Sequence, residues 1–154
     1  MSSASPNSAD PADLRIYHRV QLAAHRLQKS ADRALIGAAG ITAAQAAVLT
    51  LVEAAPGSTQ RALARRLGFN ESAITAAVGR LETSGALTRQ RAPDDGRARV
   101  LTLTASGRDA LERARAAFGD INARIGESLD DAALHQLADA LDRLTAAFAP
   151  PTGD

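Results

Sequence analysis

The sequence predicts a mostly helical fold that carries one small β-hairpin. Three observations predict it. Apolar residues recur at alternating three and four spacing along most of the chain. Residues 59–104 interrupt that pattern with a short helix, a turn, a second helix and two short strand-like runs. Heptad spacing then returns from 105 to 149.

Each element has a local cause. From Asp13 to about Leu35 two interleaved apolar sets recur, Ile16, Val20, Ala23, Leu27, Ala34 and Leu14, Tyr17, Ala24, Ala31, Leu35, which predicts a long helix with apolar surface on two sides. After Gly37 and Gly40, Thr42 and Gln45 form a capping-box signature. Val48, Leu51, Val52 and Ala55 put one stripe on the helix that follows, and Pro56-Gly57 ends it. Thr59 is the expected N-cap of a short helix through Leu67, with Leu63 and Leu67 inward and Gly68 closing it. Asn70 caps the next helix, in which Ile74, Ala77, Val78 and Leu81 gather on one side. Ser72, Thr75, Ala76, Gly79 and Arg80 are left on the other, and Gly85 supplies the left-handed stop. Leu87–Arg91 and Arg99–Leu103 read as strands around a polar loop holding Pro93 and Gly96. Thr104 caps a long helix carrying Leu111, Ala114, Phe118, Ile121 and Ile125. A last helix after Ser128 carries Leu134, Leu137, Leu141, Leu144 and Phe148, and Pro150-Pro151 terminates the fold.

Composition narrows the function classes. A chain of 154 residues suits one main folding unit. No apolar run approaches the roughly 18 residues of a membrane span, so a soluble protein with no membrane partner is expected. Residues 1–12, rich in Ser, Ala, Pro and Asp, lack the features of a secretory signal and read as a disordered tail of a cytoplasmic protein. The chain has no cysteine, which excludes disulfides, thiolate zinc sites and thiol redox switching. The net charge of +1 hides an uneven distribution. Residues 59–104 hold eight arginines against four acids, whereas residues 105–154 hold five against nine. The positive potential therefore sits in the middle segment, as a nucleic-acid reader requires.

Helix, turn, helix and hairpin in that order make the plan of a winged helix-turn-helix. The expected organisation is an N-terminal dimerisation helix over 13–37, a winged helix-turn-helix over 41–104 and C-terminal dimerisation helices over 105–149. A single domain of this size cannot bury the apolar stripes of all the terminal helices, so a two-fold partner is expected to cover them. The outward face of helix 70–84 is small and polar, where a helix built only for solubility would carry Glu and Lys. Such a surface can approach base edges closely.

The residues also carry a resemblance. The run Ile41-Thr42-Ala43-Ala44-Gln45, the helix Thr59-Gln60-Arg61-Ala62-Leu63-Ala64-Arg65-Arg66-Leu67, and Ser72-Ala73-Ile74-Thr75 ahead of Arg80-Leu81-Glu82 come in order, followed by the wing segment Asp94-Asp95-Gly96-Arg97-Ala98-Arg99-Val100-Leu101-Thr102-Leu103-Thr104. Together, over roughly residues 14–148, they resemble the MarR family of bacterial transcriptional regulators. The resemblance implies a homodimer on a pseudo-palindromic double-stranded operator, most simply a repressor. It also implies control by a small, often phenolic or anionic, effector in the cleft between dimer region and reader. It assigns Ser72, Ala73, Thr75 and Ala76 to the major groove, Arg80 to phosphate and Arg97 to the wing tip, with Asp95 bracing the wing through a nearby arginine. Glu71, Ala73, Ala76 and Gly79 depart from the bulkier residues frequent in the family. That shifts specificity toward Arg97, DNA shape and thymine methyl groups.

Other constellations carry less. His18 and His25 lie seven residues apart on one helix, with no Cys or acidic cluster to complete a metal shell, and His135 stands apart. Tyr17 and His18 are candidate effector-pocket residues, with core packing the plainer reading of Tyr17. Asp94 and Asp95, adjacent in a turn, point apart and suit a turn better than paired acid-base catalysis. Arg61, Arg65 and Arg66 read as a solvated face. No cofactor, metal or enzymatic motif is expected. The alternative to a DNA-binding regulator is a winged-helix module that binds a protein partner or senses a ligand without touching DNA.

Overall fold

The computed structural model describes residues 15–91 and 99–149. The elements are α1 (Ile16–Ala39), α2 (Ala43–Ala54), α3 (Gln60–Leu67), α4 (Glu71–Thr83), β1 (Leu87–Arg91), β2 (Arg99–Leu103), α5 (Ala105–Ser128) and α6 (Asp131–Ala147). The mostly helical fold with one antiparallel hairpin is the one the sequence predicts. The wing tip, with Asp95 and Arg97, lies outside the described residues, as does the expected tail over 1–12.

Five helices begin on a side-chain cap. Thr42 and Gln45 close the full capping box of α2, with Gln45 Oε1 accepting from Thr42 N–H at 2.8 Å. Thr59, Asn70, Thr104 and Asp130 accept from the third backbone N–H of α3, α4, α5 and α6. Each such cap is worth about 0.5–2 kcal/mol. Together they fix where the chain turns. Asp32, on α1, accepts from Ala43 N–H at 2.7 Å and so docks α1 onto the start of α2.

Two expectations are corrected. The N-terminal helix does not stop at Gly37 but runs to Ala39, because Gly37 keeps ordinary helical geometry and Gly40, at φ 69°, makes the left-handed turn. Leu49, which falls off the predicted α2 stripe, is fully buried. The cause is that α2 is enclosed, packing against α1, α3, α4, α5 and β2 at once.

Leu35, Leu49, Leu63, Ile74, Leu81, Leu87, Leu101 and Leu111 fill the core at the junction of α1, the reader and α5. In the hairpin Leu87 faces Leu103 and Arg89 faces Leu101, so the inner side of the wing is apolar at its base. The free edge of β2 is covered by the segment after α2: Leu101 N–H donates to the Ser58 carbonyl at 3.1 Å, and Gly57 N–H to the Leu101 carbonyl at 3.4 Å. A covered edge leaves less of the strand open to pairing with another chain.

Helix α5 ties the reader to the rest. Thr104 Oγ1 donates to the Gly85 carbonyl at 2.7 Å while accepting from Gly107 N–H at 3.0 Å. Gly107 sits so close to the chain before β1 that a Cβ there would lie 2.0 Å from the Ala86 carbonyl oxygen. Gly107→Ala should therefore force α5 off the wing base, at about 1–3 kcal/mol by the usual cost of overpacking. A melting temperature equal to that of the parent would contradict this close approach. Farther along α5, Arg113 Nε donates to the Ala38 carbonyl at 3.1 Å and covers the end of α1. Arg115 bonds Glu53 of α2, and that carboxylate, by hydrogen bond first and charge second, raises the guanidinium pKa above its ordinary value. Exposed pairs of this kind add little stability.

The outer half of α1 and all of α6 stand apart from this core. Helix α6 buries none of its residues. Leu137, Leu141, Leu144 and Phe148 on α6, and Ile16, Tyr17, Val20, Leu22 and Leu27 on α1, are exposed, so the core packing expected of Tyr17 is not found within the protomer.

Candidate nucleic-acid interface

Helix α4 divides as its periodicity predicts. Ile74, Ala77, Val78 and Leu81 are buried, while Ser72, Ala73, Thr75, Ala76 and Arg80 are exposed and Gly79 is half-buried. Among the described residues none covers that outward side near Gly79, where a Cβ built on the backbone meets nothing within 4 Å. The helix thus offers a thin, polar ridge along which another surface can approach the backbone.

The N-terminus of α4 is organised by Asn70. Its Oδ1 accepts from Ala73 N–H at 2.7 Å and from the Ser72 hydroxyl at 2.8 Å. The first bond fixes which end of the amide is oxygen, so Ser72 must be the donor in the second. With its proton engaged there, Ser72 turns acceptor lone pairs outward. The orphan N–H groups and dipole of the same helix end favour a negative ligand.

The wing is joined to α4 by a contact that the sequence reading missed. Arg89 on β1 makes a bidentate pair with Glu82 in the last turn of α4, Nε to Oε1 at 3.1 Å and Nη2 to Oε2 at 2.8 Å, both side chains about a quarter to a third exposed. Two parallel charge-assisted bonds fix angle as well as distance. Strand alternation carried the signal, since Arg89 shares its face with the buried Leu87 and needs a partner there. The brace expected from Asp95 falls outside the described residues, as does Arg97 at the wing tip.

The remaining candidates are placed as follows. Arg61 on α3 lies 3.9 Å from Glu71 with both side chains mostly exposed, and Arg65 and Arg66 are exposed in the last turn of α3. His135 Nδ1 lies 2.6 Å from the Asp131 carbonyl one turn back, a local helix contact. Among the described residues no group of three or more His, Cys, Asp or Glu side chains comes together. Gln60 Nε2 is buried without a hydrogen-bond partner among the described residues, and nothing in the structure explains it.

A helix-turn-helix whose second helix is bare on one side, with a hairpin braced against its end, defines a winged-helix DNA-binding protein. Residues 39–98 match the sequence profile of the MarR family. Over 141 residues the chain is 32% identical to the transcriptional activatory protein BadR of Rhodopseudomonas palustris, with 84% of this chain and 78% of BadR covered. The fold is similar to that of the transcriptional repressor CouR bound to a 23-mer DNA duplex, with a TM-score of 0.76 and 28% identity over 95% of this chain and 100% of that one. It is similar also to PcaV of Streptomyces coelicolor in complex with its natural ligand, with a TM-score of 0.72 and 28% identity over 95% and 99% of the two chains. The chain belongs to the MarR family of transcriptional regulators. It is a DNA-binding regulator, and the reading as an interaction module that avoids DNA is not favoured.

Proposed function

We propose that the protein acts as a homodimer in the cytoplasm, without enzymatic activity, placing two copies of α4 in successive major grooves of a pseudo-palindromic operator under the control of a small effector. Ser72, Ala73, Thr75 and Ala76 approach the base edges, Arg80 meets phosphate, and the wing, with Arg97 and Asp95, reaches the flank. The observation that carries this reading is the uncovered polar side of α4 opposite its buried Ile74, Val78 and Leu81.

The two-fold partner follows from α6. Most of a helix's stability in a protein comes from packing its apolar face, and α6, 17 residues long, buries none of its residues. Its Leu134, Leu137, Leu141, Leu144 and Phe148 repeat at heptad spacing, so a second copy meeting α1 and α6 supplies the missing contact.

Effector control is supported by a groove of about 360 Å³ between α1 and α5. Ser30 and Ala34 line one wall and Arg113, Asp120, Ile121 and Arg124 the other. An apolar floor flanked by two guanidinium groups, partly offset by the Asp120 carboxylate, suits a small phenolic or anionic aromatic, and the volume falls within the usual range for ligand sites. Occupying it shifts DNA affinity only if the ligand prefers one spacing of the two readers. Arg124→Ala should weaken the response to an aromatic carboxylate without altering ligand-free DNA affinity. An unchanged response would remove Arg124 from the site.

The decisive test of the regulator reading is titration against DNA from the protein's own upstream region and against scrambled DNA at two salt concentrations. Selective, salt-sensitive binding is expected. Indifference to both sequence and salt would overturn it.

A further inference from the structure

The register of the hairpin sets Arg91 on β1 directly opposite Arg99 on β2. Residues paired across strands share a face, with Cβ atoms about 4.5–5.5 Å apart, and like charges in that position destabilise the sheet. Both arginines are exposed. Alternation puts them on the face that also carries Leu87, Leu101, Leu103 and Arg89. Glu82, the acid that this face meets at its base, is already held by both nitrogens of Arg89. Among the described residues neither Arg91 nor Arg99 forms an ion pair.

An arrangement that costs the isolated hairpin stability becomes favourable once an anion lies between the two guanidinium groups. We propose that Arg91 and Arg99 form a phosphate-binding pair that grips the DNA backbone at the outer end of the paired strands, the last pair before the wing loop. A phosphodiester offers two non-bridging oxygens, one for each guanidinium, and planar guanidinium forks match that geometry. The Arg89–Glu82 brace fixes β1 against α4, so a backbone held by the pair is held in register with the reader helix. Contacts of this type set position and carry no sequence preference. The proposal rests on the DNA-binding reading and adds a site outside both α4 and the wing tip.

The experiment is DNA binding over a range of salt concentrations for the full chain and for the Arg91→Gln, Arg99→Gln double variant, with thermal melting of each. Each phosphate contact contributes roughly 0.9 to the slope of log affinity against log salt. The double variant should therefore lose about 1–2 from that slope, weaken equally on operator and scrambled DNA, and melt at or above the parent temperature because the repulsion is gone. An unchanged slope would overturn the proposal. So would a lowered melting temperature with the slope intact, which would assign the pair to holding Asp94 or Asp95 within the hairpin. Absence of salt-sensitive binding by the parent chain would instead defeat the regulator reading, and the pair's role with it.

Discussion

Ala76→Glu is expected to lower operator affinity by about 10²–10³-fold while leaving the fold intact. Position 76 is exposed on the outward side of α4, and glutamate is a good helix former, so the helix itself has no reason to change. What changes is the surface presented to DNA. A carboxylate brought against phosphates and acceptor-rich base edges is a like-charge juxtaposition costing several kcal/mol, and each 1.4 kcal/mol is about tenfold in affinity. Ala77→Glu makes the control, because one residue further round the helix the same side chain enters the core, where Ala77 is 7% exposed. There it should unfold the protein, since a buried unpaired charge is among the strongest single-residue perturbations. Parent-like DNA affinity in the Ala76 variant would mean that DNA binds elsewhere.

The second large effect is expected at α6. Leu141→Arg combined with Leu144→Arg should yield a monomer in light scattering at micromolar concentration and reduce operator affinity by about 10²–10⁴-fold, the range by which joining two binding modules raises avidity. Both leucines are exposed in the single chain, so little contact within the protomer is lost. The loss would come from uncoupling the two readers. A double variant that stayed dimeric, or bound the operator as the parent does, would place the two-fold contact on another surface.

Much of this architecture was legible because its signals are local. Thr42, Thr59, Asn70 and Thr104 announce helix starts through side chains that reach only three residues along, and both strands begin and end where the alternation of Leu87, Leu101 and Leu103 puts them. The outward side of α4 was legible for the same reason, since its period of 3.6 leaves Ser72, Thr75 and Ala76 opposite Ile74 and Val78. Contacts between distant residues were not. Nothing in the sequence around Asp32 shows that it caps α2, nor does Gly107 show that the Ala86 carbonyl lies against it. The burial of Leu49 depends on five neighbours that only the assembled fold brings together. Gly37 misled because a glycine within a helical pattern marks an end only where the backbone needs positive φ, and Gly40 meets that need.

The direction of regulation differs between an activatory relative and a repressor of similar fold, so the shared contact geometry does not fix it. That geometry can be read on DNA itself. Dimethyl sulfate attacks guanine N7, which faces the major groove, and protection reports what lies there. With operator DNA the account predicts two protected patches on one face of the duplex, centred about one helical turn apart. A single patch, or no protection where the protein is bound, would contradict it.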